Sequence, residues 1–164
     1  MNNNNKPIQF LARGAVIAAL YVVLTLVFSP ISFGPGQVRV AEVLTILPMF
    51  TPAAVPGLFV GCLLGNLLAG AVIWDIIFGS LATLIGAVFS YALRSNRWLV
   101  PIPAILANAI IIPFVLKYGY GVDMPLILMG LYVGIGEVIS CFVLGELFAS
   151  ALLRRQKHQQ KEEE

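Results

Sequence analysis

Six apolar runs of near-membrane length fill residues 10–153 of this chain: Phe10–Ser29, Val38–Phe50, Val55–Ile73, Asp75–Leu93, Leu99–Leu116 and Leu126–Leu153. A helix that crosses a bilayer needs ~20 mostly apolar residues, with a range of about 17–25. The second run is short for a full crossing and carries Pro48 near its end; the sixth is long enough to tilt or project. Hydrophobic residues make up 59% of the chain and charged residues 11%. A soluble domain carries about a quarter charged residues, and a soluble fold this apolar would expose large greasy patches. The expected fold is an all-α integral membrane protein, a bundle of six transmembrane helices. Residues 1–9 read as a disordered N-terminal lead, 10–153 as the transmembrane domain and 154–164 as a polar, frayed tail. No cleavage site follows the first run, which reads as a retained helix.

Charge in the connections sets the expected orientation. Lys6 and Arg13 flank the first run, Arg94 and Arg97 separate the fourth from the fifth, and Arg154, Arg155 and Lys157 follow the sixth. The positive-inside rule places all three on the cytoplasmic side, with both termini inside, as an even helix number requires.

Few residues here carry chemistry. Cys62 and Cys141 lie in apolar runs without metal-ligand spacing and read as small packing groups. The only histidine, His158, is in the tail, so neither a metal site nor histidine catalysis is expected. No phosphate-binding GxxxxGK[ST] loop is present. The chain reads as a non-enzyme, without a cofactor and without a nucleic-acid partner. Any uphill transport must draw ATP hydrolysis from another subunit, or couple to an ion gradient through Glu137 or Asp75.

Polar residues within apolar spans are costly and mark cavities or partners. They are Arg39, Glu42, Asp75, Glu137 and Glu146, with Asn66 and Asn108. At 1.5 Å per residue, all but Glu146 fall in the outer half or the middle of the bilayer. A polar path through the whole membrane is missing, which points to an outward-open pocket for a small planar polar molecule rather than a channel. Each residue has a plainer reading. Arg39 and Glu42, three apart, pair with each other; Trp74 anchors the interface; the amides join helices; Glu146 meets the C-terminal arginines. Small residues four apart, Gly57, Gly61, Gly65 and Ala69, suit close helix packing. Ala15 and Ala19 form a similar face on the first helix, which suits packing or docking of another subunit.

The run Gly34-Pro35-Gly36-Gln37-Val38-Arg39-Val40-Ala41-Glu42-Val43-Leu44-Thr45-Ile46-Leu47-Pro48 resembles the signature of the QueT family. So do Gly65–Leu68 with Trp74–Thr83, Asn108–Phe114 and Gly136–Ser140. The resemblance covers about residues 10–153. It implies an S-component, the substrate-binding subunit of a bacterial energy-coupling-factor (ECF) transporter in the plasma membrane, capturing a queuosine precursor from outside. It also implies assembly with a transmembrane coupling subunit and two ATPases, with Ala15 and Ala19 as the docking face. For a deazaguanine ligand, Glu137 or Glu42 would accept from the N–H edge, and Asn66 and Asn108 would meet the ring nitrogen and carbonyl. Asp75 would pair with an aminomethyl cation, and Trp74 would stack on the ring. Arg39 completes the expected site. Competing readings are an S-component for another vitamin, a standalone proton-coupled carrier of a small polar heterocycle, and a membrane protein without a ligand.

Overall fold

The computed structural model describes residues 5–33 and 36–162; Gly34 and Pro35 of the signature lie outside the described residues. All regular structure among them is helical. Helix α1 spans Lys6–Val27, and a short α2 follows at Ser29–Ser32. A 3₁₀ helix spans Val40–Met49 and α3 spans Ala54–Leu68. A π-helical turn, Asp75–Gly79, runs straight into α4, Ser80–Ala92. Helix α5 spans Ile102–Tyr118. The last rod joins α6, Leu126–Glu137, through a π segment, Val138–Leu144, to α7, Gly145–Glu162.

Four helical stretches are long and apolar enough to cross a membrane: Lys6–Val27, Asp75–Ala92, Arg97–Tyr118 and Leu126–Gln160. The apolar helices Val40–Met49 and Ala54–Leu68 are shorter. The chain is thus an all-helical, multi-pass membrane protein. Both polar ends are more regular than the sequence suggested. Helix α1 begins inside the expected lead, and α7 continues through the expected frayed tail. Its last turns are rich in Lys, Arg, Gln and Glu, which are good helix formers.

The third run stops earlier than its hydropathy implies. Gly70 adopts φ 74°, and the Ala71 N–H bonds the Asn66 carbonyl at 3.0 Å. This is the left-handed glycine stop that satisfies a helix's last carbonyls. It frees residues 71–74 to lead into Asp75.

The glycine ladder of α3 packs on α1. A Cβ on Gly57 would sit 2.7 Å from the Gly14 carbonyl oxygen, and one on Gly61 would sit 2.7 Å from Tyr21 Cβ. Gly65 faces Thr25 in the same way. The two helices run parallel, with Ala18, Tyr21 and Thr25 buried between them, while Ala15 and Ala19 remain exposed. Gly57→Ala is expected to lower stability by about 1–3 kcal/mol, since the obstacle is rigid backbone. Thermal unfolding in detergent measures this, with Gly36→Ala, which meets open space, as the near-neutral control.

At the end of the bundle where α1 begins, Arg97 pairs with Glu146 and donates to the Ser150 hydroxyl at 2.5 Å. Glu146 is therefore held by the α4–α5 connection and not by the C-terminal arginines.

Candidate functional site

The 3₁₀ helix organises the polar interior. With three residues per turn, side chains at i and i+3 lie above one another. Glu42 and Thr45 thus share one buried face, Thr45 Oγ1 donating to the Glu42 carbonyl at 2.6 Å, and the buried Arg39 precedes them as the N-cap residue. The Arg39–Glu42 pairing open from sequence is not made, because each has a partner on another element.

The upper layer joins three elements. Arg39 Nη2 donates to Asn66 Oδ1 at 3.0 Å and lies 3.4 Å from Asp75 Oδ1. Asn66 Nδ2 donates to the Asp75 carbonyl at 3.2 Å. Tyr120, in the α5–α6 connection, donates to Asp75 Oδ2 at 3.0 Å. Burial and the Asp75 carboxylate push the Tyr120 phenol well above its ordinary value. Gly79 permits this packing, since a Cβ there would lie 2.6 Å from Asp75 Oδ1. Asp75 thereby has a protein partner on each carboxylate oxygen.

The deeper layer holds the other carboxyls. Glu42 Oε1 accepts from the Tyr21 hydroxyl at 2.5 Å and from Thr83 at 3.0 Å. Cys141 donates to Glu137 Oε2 at 3.2 Å. Ligand-type atoms of Glu42, Glu137 and Cys141 lie within 4.8 Å of one another. Sequence spacing suggested no ion-holding set, and folding brings this one together. The carboxyl–hydroxyl and carboxyl–thiol bonds give it the arrangement of a hydrogen-bonded polar site. Asn108, from α5, is buried beside Glu137.

One further property defines the site. Glu42 Oε2, Glu137 Oε1, both amide atoms of Asn108, Arg39 Nη1, Gln37 Nε2 and Ser140 Oγ are buried without a hydrogen-bond partner among the described residues. Each such group costs about 1–3 kcal/mol when left unsatisfied. Native interiors keep few of them. Such free donors and acceptors are groups that ordered water or a small polar occupant can bond; Glu146 Oε1, at the other end of the bundle, is also free.

Of the residues singled out from sequence, Arg39, Glu42, Asn66, Asp75, Asn108 and Glu137 come together here. Trp74 does not join them. Its ring is 50% exposed and stacks on Phe78 at 5.7 Å. It lines a separate apolar groove of about 530 Å³ with Ile110, Phe114 and Tyr118. Ala15 and Ala19 lie well away, on the exposed side of α1. Sequence reasoning missed Gln37, Tyr21, Thr83, Tyr120 and Ser140, and read both cysteines as packing groups only. Cys62 is buried, yet it accepts from Thr83 at 3.4 Å. The π segments were the structural signal that no hydropathy pattern carries. They begin at Asp75 and immediately after Glu137, and such bulges recur at functional sites.

A helical, multi-pass chain with a buried cluster of polar side chains fits the class of membrane proteins that handle small solutes. The family model described as "QueT transporter" matches residues 11–154, and the chain belongs to that family. It is similar to the "Queuosine precursor transporter QueT" of Lactococcus lactis subsp. cremoris (strain MG1363), being 40% identical over 73 residues. That match spans 43% of this chain and 43% of the relative, less than half of either. No solved structure matches the chain.

Proposed function

We propose that this chain is the ligand-capturing S-component of an ECF-type importer, and that its ligand is a queuosine precursor of the deazaguanine type. Membership of the QueT transporter family carries this reading, and the name of the Lactococcus relative supplies the ligand class. The buried site supports it chemically. A guanine-like edge presents adjacent N–H donors beside a carbonyl. Glu137 and Asn108 offer a free carboxylate oxygen, a free amide oxygen and a free amide N–H to match it. Arg39, Asn66 and Asp75 form a braced wall above, and Glu42 closes the site below.

In this reading the two shorter helices are also membrane-embedded, giving six passages. The arginine-bearing connections and both termini face the cytoplasm of a bacterial cell. The site then lies in the outer half and middle of the bundle. The sequence contains no phosphate loop, so energy comes from a transmembrane coupling subunit and two ATPases. The exposed Ala15/Ala19 face of α1 serves as the contact to the coupling subunit.

Mass spectrometry of ligand released from the purified protein tests the substrate. A deazaguanine mass is expected, and a flavin or thiamine mass overturns the assignment. Copurification with ATPase subunits from the native host tests the coupling. Uptake by this chain alone in liposomes, abolished by collapsing the pH gradient, would replace the ECF reading with a proton-coupled carrier.

A further inference from the structure

The polar interior does not balance its charge. Among the described residues it holds one guanidinium, Arg39, against the carboxyl groups of Asp75, Glu42 and Glu137. Arg39 is committed to Asp75. The fourth buried carboxyl, Glu146, is paired with Arg97 at the other end of the bundle. Glu42 and Glu137 are left facing each other, with Arg39, shared with Asp75, as the one cation nearby and otherwise neutral groups around them: Tyr21 from α1, Cys62 from α3, Thr83 from α4, Asn108 from α5 and Cys141 from the π segment. Each carboxyl keeps one oxygen without a partner, and their ligand-type atoms lie within 4.8 Å. Two carboxylates this close repel each other, and a positive charge placed between them relieves that repulsion. The N–H groups of a neutral heterocycle satisfy hydrogen bonds but bring no net charge.

We propose that Glu42 and Glu137 form a seat for a positively charged amine on the ligand, so that the protein selects amine-bearing deazaguanines over uncharged ones. The inference rests on the deazaguanine reading above. The amine lies within reach of the free oxygens of both carboxylates, and the ring is left to Asn108.

The test compares binding of the aminomethyl and cyano forms of deazaguanine to the full-length purified protein by titration calorimetry, for the wild type, Glu42→Gln and Glu137→Gln. A charged donor on a buried carboxylate is expected to favour the aminomethyl form by at least about tenfold. In either glutamine variant that preference is expected to fall towards one. Equal binding of the two forms by the wild type, or an undiminished preference in both variants, overturns the charge seat and leaves the deazaguanine reading intact. Failure of both forms to bind the wild type overturns that reading, and the seat with it. Binding that EDTA abolishes and zinc restores would assign the pair to a metal ion and also overturn the inference. The wild-type comparison stands by itself if a glutamine variant fails to fold.

Discussion

Arg39→Ala is expected to cost about 3–5 kcal/mol of stability, the range for removing one partner of a buried ion pair. The guanidinium bonds Asn66 at 3.0 Å and faces Asp75 at 3.4 Å, with both acidic and basic side chains almost fully buried. Alanine leaves Asp75 ionised in a site where only Tyr120 still donates to its carboxylate, and leaves a void where the side chain lay. Removing the charge as a pair should be far milder. In Arg39→Met combined with Asp75→Asn, neither member of this pair is left as an unpaired ion, and most of the lost stability is expected to return. The four proteins of this double-mutant cycle are compared by thermal unfolding in lipid nanodiscs. A single Arg39→Ala loss no larger than that of an exposed substitution would refute the braced-wall description. So would the absence of recovery in the double variant.

That wall shows why part of this molecule was readable in sequence and part was not. Spans are set by bilayer thickness and hydropathy, so Asp75–Leu93 and Leu99–Leu116 come within a few residues of the observed elements. Scarcity also made the buried polar cluster visible. A charge or an amide inside an apolar run is conspicuous, and six of the seven binding candidates converge. Their partners were not visible. Arg39 and Asp75 are 36 positions apart, and only the fold sets one against the other. Val40–Met49 is apolar on most sides, and such a run does not distinguish 3.0 from 3.6 residues per turn. The placing of Glu42 and Thr45 on one face follows from that difference. Tyr21 and Thr83 were hidden for another reason: a hydroxyl in an apolar helix is ordinary until a carboxylate is placed beside it. Trp74, adjacent to the buried Asp75 in sequence, is half exposed and stacks on Phe78.

The largest functional effect is expected at Asn108, where stability and affinity should move in opposite directions. Its side chain is fully buried, and neither amide atom has a partner among the described residues. Leucine is of similar size and brings no polar atoms to satisfy. Asn108→Leu is therefore expected to stabilise the ligand-free protein by about 1–3 kcal/mol, the cost of leaving such groups unpaired. The same change removes a donor and an acceptor that a planar polar ligand would use. A binding site built to hydrogen-bond its ligand loses discrimination steeply when such a pairing is lost. An affinity loss on the order of a hundredfold corresponds to about 3 kcal/mol. Unfolding temperature without ligand and calorimetric affinity, measured on the same preparation, give both signs. If asparagine at this position served only to join helices, leucine would lower stability and leave affinity to follow it. A more stable protein that no longer holds its ligand is the signature of a polar group kept unsatisfied for an occupant.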